Sequence, residues 1–503
     1  MKNSVKRLFS LFLATALVVV VSACGDDDPE VASPSITQPT AVTVEEGESA
    51  TITFTVSVPG GYASSSLAES GGEATITSEP AAGATTGEVE VSFEAITPGA
   101  GSVTLTVTDA NGKTGNATAV ITIGEEPTTI TVASNISAET TWETGKTYIL
   151  AGRITVLDGA TLNIEEGVVV KGQAGTGANA TALLVARGGT LNASGTAAMP
   201  IIFTSVADEI TPEDVAAGNF ASPNLSPDVS GLWGGVIVLG KAKISTSNTV
   251  NDVTTQLSEV QIEGIPTSDT NGLYGGDNDA DNSGTITYIS IRHGGSNIGS
   301  GNEINGLTLG GVGSGTTISN VEVVANQDDG IEFFGGTVSL SNAVIWNGND
   351  DGLDTDMAYN GTIDNFVIIA PNTSGANCLE LDGPEGTYIN GNHTIKNGTV
   401  VAGTATRKAT NLFDLDANTN VNLENIFFTG LQDAQVINRT NAASVTFTKI
   451  ELNVPTGKTL QDFITGTIPA GITSAATPSA GVGANMSAFA WTWASTADEW
   501  PGN

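Results

Sequence analysis

The sequence predicts an all-β chain, a β-sandwich followed by a long parallel β-helix, and three observations carry that prediction. Five segments repeat one pattern, Ile318-Ser319-Asn320, Leu340-Ser341-Asn342, Ile363-Asp364-Asn365, Ile395-Lys396-Asn397 and Leu423-Glu424-Asn425, each followed by a short apolar strand. Their asparagines are separated by 22, 23, 32 and 28 residues, a period that belongs to stacked coils, the two longer intervals being coils that carry inserted loops. Ahead of them, residues 36–124 alternate apolar and polar side chains in short runs divided by Pro59-Gly60-Gly61, Pro98-Gly99 and Asn111-Gly112, the pattern of antiparallel strands with one buried face.

In chain order, the first segment places Lys2, Lys6 and Arg7 before an apolar run from Leu8 to Val21, too short and too unevenly flanked for a spanning helix and suited to a secretory signal. Val21-Ser22-Ala23-Cys24 resembles the cleavage site of bacterial lipoproteins. The resemblance implies that residues 1–24 form a signal with Cys24 as the acylated new N-terminus, tethering the protein to the outer membrane; several acyl chains at roughly 0.8 kcal/mol per buried CH₂ hold such an anchor firmly. The acidic linker 25–35 begins Gly25-Asp26-Asp27-Asp28-Pro29 and resembles the export signal of surface-displayed lipoproteins in Gram-negative bacteria, which implies display outside the cell. The alternative for this run is a solvated spacer.

The chain carries 54 acidic and 17 basic residues, a net charge of −37, and only two cysteines. With Cys24 acylated, Cys378 has no partner, so no disulfide framework is expected and stability must come from stacking. A polyanion of this size is a poor partner for nucleic acid or anionic lipid and a good one for divalent cations.

The alternating run Val103 to Ile123 resembles the closing hairpin of bacterial immunoglobulin-like surface modules, so residues 36–124 are expected to be an immunoglobulin-like sandwich acting as a spacer. After Gly124 the texture changes to β-branched runs punctuated by glycine and asparagine. The stretches Ala160 to Gly172, Gly188 to Ser205 and Gly231 to Ile244 resemble the first coils of bacterial secreted right-handed parallel β-helix proteins, which implies that fold for residues 128–485. Residues 486–503 contain Phe489, Trp491, Trp493 and Trp500 and are expected to cover the open last coil, whose core and backbone edge would otherwise be exposed.

One turn after each asparagine strand comes a second set: Ile331 to Phe334, Leu353 to Asp356, Leu379 to Asp382 and Phe413 to Asp416. Alternation sends Ile331, Phe333, Leu353, Thr355, Leu379, Leu381, Phe413 and Leu415 inward and Glu332, Asp354, Asp356, Glu380, Asp382, Asp414 and Asp416 outward. Coils about 4.8 Å apart make stacked carboxylates repel by about 1 kcal/mol in water and several times more at an intermediate dielectric. Bound divalent cations, basic residues arching over, or raised carboxyl pKa values would relieve this. The alternative is a charged face that only prevents association.

The turns entering this column, Asp328-Asp329-Gly330 and Asn349-Asp350-Asp351-Gly352, are acidic as well. The run Asn347 to Asp356 resembles the calcium-binding turn of some pectate lyases, parallel β-helices with an active site on an outward strand face. The resemblance implies calcium ligands at Asp350, Asp351 and Asp354, repeated one coil earlier by Asp328, Asp329 and Glu332. It also implies a lysine or arginine near the metal, which would take the proton α to a uronate carboxylate; Lys396, Arg407 and Lys408 are the candidates, none in an obvious position. A second loop, Asp277, Asp279, Asp281 and Ser283 before Gly284, resembles a calcium loop because side-chain oxygens recur at every second position. His293 and His393 lack zinc spacing and are expected on the surface or in loops. No G-x-S-x-G elbow occurs, and Gly145-Lys146-Thr147 and Gly457-Lys458-Thr459 lack the upstream glycine of a phosphate loop.

The resulting expectation is a surface lipoprotein whose acidic face binds calcium and, through it, an extracellular polysaccharide or partner surface. A calcium-dependent uronate lyase and a ligand-free scaffold are the alternatives.

Overall fold

The computed structural model describes residues 30–250, 253–299, 302–369, 376–404 and 407–501, so the expected signal, Cys24 and most of the acidic linker lie outside the described residues. The chain divides into two compact units between Glu126 and Pro127.

The first unit is a sandwich of two four-stranded sheets. One has the order Ser35–Ile36, Ser49–Ser57, Thr86–Ala95, Gly72–Ser78, and the other Val42–Glu45, Thr114–Gly124, Gly99–Asp109, Tyr62–Ser70. Period-two alternation builds the core, with Ile52, Phe54 and Val56 from one strand meeting Val103, Leu105 and Val107 from the opposite sheet.

The second unit is a parallel β-helix with three faces. The first face is a nine-stranded parallel sheet running from Ile154–Val156 to Val436–Ile437 and including Leu307–Gly310, Ile331–Phe334, Leu353–Asp356, Leu379–Leu381 and Asn411–Leu415. The other two faces are the two halves of longer strands, Gly284–Arg292, Thr317–Val324, Ser339–Trp346, Thr362–Ile369, His393–Val401, Asn420–Thr429 and Ser444–Leu452. Each of these bends at one left-handed residue. From Thr317–Val324 to Asn420–Thr429 the bend is the repeated asparagine, with φ of 55°, 59°, 62°, 57° and 55° at Asn320, Asn342, Asn365, Asn397 and Asn425. Asparagine tolerates this conformation better than other residues with a Cβ. Its amide also binds the neighbouring coil: Asn342 Nδ2 donates to Asn320 Oδ1 at 3.0 Å, Asn365 to Asn342 at 2.7 Å, and Asn425 to Asn397 at 3.1 Å. At Asn397 the donor turns to Asp364 Oδ1 instead.

The predicted inward residues, among them Ile331, Phe333, Leu353, Leu379, Leu381, Phe413 and Leu415, form the interior. Both histidines are buried, which corrects the surface reading, although His293 does stand in a bend after its strand, against Trp493. His393 is buried with Nε2 3.2 Å from Thr355 Oγ1, and His293 has Nδ1 2.5 Å from the Val229 carbonyl oxygen.

The aromatic C-terminal segment is also placed differently from expectation. It lies along the outside of the third face as a strap and does not plug the last coil. Ser479 N–H donates to Glu451, Gly483 N–H to the Asn425 carbonyl, Ala484 N–H to Thr399, Asn485 N–H to Asn365 and Ala494 N–H to Glu322. Phe489, Trp493 and Trp500 pack on an outward apolar stripe, Val324, Trp346, Ile369 and Val401. Beneath the strap lies a fully buried pair, Arg292 and Glu322, with the guanidinium 5.0 Å over the Trp493 ring. The last coil is closed instead by Phe463, Ile464 and Ile472.

Two insertions cover the outer side of the first face over its early coils. The antiparallel pair Val260–Gln261 and Leu273–Tyr274 brings Ile262, Ile265 and Tyr274, and the hairpin Ser296–Gly299 and Asn302–Ile304 brings Ile304, onto Leu184, Ile237 and Phe334.

Candidate metal and ligand site on the acidic face

Strand register decides which carboxylates meet. Glu332 stands opposite Asp354, Asp354 opposite Glu380, and Glu380 opposite Asp414, in one row along the axis. The row starts as apolar or neutral side chains in earlier coils, Leu184, Ile237 and Thr308. Asp356 opens a second row, facing Phe334, and Asp382 and Asp416 follow it through their N–H bonds to the Thr355 and Leu381 carbonyls. The face is less open than alternation alone implies, because the insertions leave Glu332 only 6 % exposed.

A further row stands two residues before the first inward side chain of each strand, Asn305, Asp329, Asp351 and Asn377 in the turns and Asn411 at the start of its strand. Each position bonds to the next coil: Asp351 N–H donates to Asp329 Oδ1 at 2.8 Å, Asn377 donates from its backbone N–H to Asp351 Oδ1 and from Nδ2 to Asp351 Oδ2 at 3.3 Å, and Asn411 Nδ2 donates to Asn377 Oδ1 at 2.8 Å. Both Asp351 oxygens thus accept within the turn, and Asp351 joins neither of the two three-carboxylate groups found among the described residues. Asp329 keeps its other oxygen for the site.

Two groups of three carboxylates come within 4.8 Å of one another among the described residues, Asp328 with Asp329 and Asp350, and Asp329 with Glu332 and Asp354. Asp329 belongs to both. The first group lies at the turn with Asp350 exposed, and the second is deeper. The deeper group has two orphaned acceptors beside it, Asp354 Oδ1 and Asn305 Oδ1, buried with no hydrogen-bond donor. Orphaned hard oxygens among converging carboxylates fit an oxygen-seeking cation such as calcium.

Burial, and after it the neighbouring carboxylates, push these acids upward. Asp328 rises to about 8 by burial and then Glu263, and Asp382 to about 7 by burial and then Asp416. Asp329, Glu332, Asp354 and Asp356 lie well above the carboxyl range for the same reasons. From the insertion, Glu263 is raised to about 7 by burial and by Glu303.

No predicted base reaches this face. Lys396 pairs with Asp364 at 3.4 Å on the asparagine face, and Lys408 Nζ donates to the Asp433 carbonyl at 2.6 Å. Arg407 is held by Asp228 at 2.8 Å, Glu499 at 3.0 Å and Asn347. The cation found on the column is Arg439, 3.2 Å from Asp414 and 3.4 Å from Asp416 at the far end. It follows the short strand Val436–Ile437 one coil beyond Asp414. Glu263 and Glu303 are also site residues outside the repeat, carried by the insertions, while Asn305 is the first position of the turn row.

The second predicted loop forms no three-carboxylate group among the described residues. Asp279 accepts from Lys243 N–H at 3.0 Å and pairs with Lys243 Nζ at 2.7 Å, while Asp281 accepts from Lys241 N–H at 3.0 Å. Ser283 is buried, its N–H donating to Thr316 Oγ1 at 2.8 Å. Asp277 joins no three-carboxylate group among the described residues. Alternate side chains here fold a turn by satisfying neighbouring backbone N–H groups.

The exopolygalacturonase of family 28 from Yersinia enterocolitica is 11 % identical, with 88 % of this chain and 98 % of that one covered and a TM-score of 0.21. Titin domains Z1Z2 in complex with telethonin are 20 % identical, with 22 % of this chain and 59 % of that chain covered and a TM-score of 0.16. The titin M10 and obscurin-like 1 Ig complex is 22 % identical, covering 19 % of this chain and 97 % of that one, with a TM-score of 0.14. No curated protein sequence matches the chain. The family description of the pectate-lyase-like β-helix domain matches residues 134–496, and with its coils, faces and bends in place the chain belongs to that family.

Proposed function

We propose that the acidic face binds calcium and, through the ion, an acidic extracellular polysaccharide. The observation that carries this reading is the pair of three-carboxylate groups joined at Asp329, on a face where the described cation, Arg439, pairs only with Asp414 and Asp416. A calcium ion at the exposed turn group, Asp328, Asp329 and Asp350, would neutralise the repulsion and offer open positions to a sugar carboxylate. Family membership supports a polysaccharide ligand. Binding is favoured over lyase chemistry because Lys396, Arg407 and Lys408 are engaged elsewhere and Arg439 belongs to the third coil beyond Asp354, its guanidinium pairing with Asp414 and Asp416, which lie two coils or about 10 Å from Asp354 along the axis.

Calorimetric titration of calcium into the wild type is expected to give a saturable heat that is lost in an Asp329→Asn, Asp350→Asn variant of unchanged far-ultraviolet spectrum. Polygalacturonate is expected to be retained only with calcium present, without growth of absorbance from unsaturated product. Equal heats in both proteins would remove the calcium reading, and a rising absorbance would replace binding by lyase action. The Val21 to Cys24 run supports attachment to the outer membrane through acylated Cys24; Cys24→Ser is expected to move the protein from the membrane to the soluble fraction.

A further inference from the structure

The deeper carboxylate group is roofed by two segments from outside the repeat. Gly264, at φ +71°, packs so closely on the hairpin that a Cβ there would lie 2.4 Å from Ile304 Cγ1 and 2.6 Å from the Glu303 carbonyl oxygen. This contact holds Glu263 beside Glu303 and over Glu332. Asn305 is fully buried between them, its Nδ2 donating to Glu332 Oε2 and, at 3.4 Å, to Glu263 Oε1. Its Oδ1 has no donor. Turning the amide over would not help, since the oxygen would then face two carboxylates. The apolar anchors of the roof, Ile262, Ile265 and Tyr274, grip the earlier coils, while its acidic end hangs over acids of the same sign.

From this arrangement we infer that a divalent cation on Asp329, Glu332 and Asp354 is the latch of the roof, with Asn305 Oδ1 from the turn of the preceding coil and Glu263 from the insertion closing over it. The inference rests on the calcium reading above and deepens it. One ion at the exposed turn faces the ligand, and a second, sharing Asp329, ties residues 259–268 and 302–306 to the strands beneath. Asn305 Oδ1 and Asp354 Oδ1 are the acceptors that the ion would satisfy. Without the ion, the acidic end of the roof has repulsion beneath it and is held by the Asn305 bonds, the apolar anchors and the Arg153–Asp269 and Arg187–Glu259 pairs at its base.

Hydrogen exchange of the full-length chain, with calcium chloride and then with a chelator, tests the latch. In the wild type, calcium is expected to slow exchange in 259–268 and 302–306 by about tenfold or more, leaving Ser444–Leu452 unchanged. Glu263→Gln, which keeps the side-chain shape, is expected to retain the calorimetric calcium heat at the turn while losing most of the roof's added protection. Calcium heat without any change in roof exchange would overturn the latch and leave the turn site standing. Absence of calcium heat in the wild type would overturn both.

Discussion

At the residue scale, the fold depends on positions where one side chain makes room for another. Gly398 stands opposite Phe366 in the next coil, and a Cβ on it would lie 2.1 Å from the buried phenyl ring. The ring is enclosed by the core and cannot move aside cheaply, so Gly398→Ala is expected to cost about 1–3 kcal/mol through overpacking. Thermal unfolding of the variant checks this, and an unchanged midpoint would contradict the packing described. The bends show a complementary use of a small polar side chain. Asparagine at φ near 60° both accepts the left-handed turn and spends its amide on the coil above or below. That double use made the repeat readable in the sequence, because few other residues meet both demands.

At the scale of elements, the acidic column sets a pH dependence with a definite sign. Glu263 and Asp382 are raised to about 7 and Asp328 to about 8, mainly by burial, whereas unfolded aspartate and glutamate titrate near 4. Between these values the folded chain holds protons that the unfolded chain has released, so stability must fall as pH rises. The calcium-free protein is expected to lose melting temperature from pH 5 to pH 8, and calcium is expected to reverse most of that loss at pH 8. A melting temperature that climbs over this interval in chelator would contradict the burial of these acids. The rows themselves were legible, since period-two alternation and coil spacing suffice to align Glu332, Asp354, Glu380 and Asp414. Their roof was not, because Glu263 and Glu303 come from insertions that obey no period. Asp351 needed the structure for a related reason: a carboxylate that stands in a cluster of acids and one that accepts turn N–H groups look alike in sequence.

At the scale of the whole β-helix, the strap is the feature that sequence reasoning misplaced, although its footprint was present. The second halves of the long strands read Ala343 to Trp346 and Phe366 to Ile369, apolar at consecutive positions, and Val321 to Val324, apolar except at Glu322. Strands buried on one side only would alternate; continuous apolar runs announce cover on both. Trp493 fills that outer stripe and closes over the buried Arg292 and Glu322. Trp493→Ala is expected to expose the pair, to cost about 3–5 kcal/mol where the strap is coupled to global unfolding, and to speed exchange in Val324, Trp346 and Ile369 before the interior responds. If those amides stay as protected as in the wild type, the strap contributes less than its burial implies.

The strap also fixes how this β-helix would meet mechanical load. Residues 479–494 run back from Ser444–Leu452 towards Gly284–Arg292, bonded in turn to strand after strand. Tension applied at residue 501 would first free Glu499 from Arg407 and Trp500 from Phe489, and would then peel this segment away, one contact at a time, from the earliest coil it touches. The stacked rungs beneath would feel the pull only after the peeled length had run out.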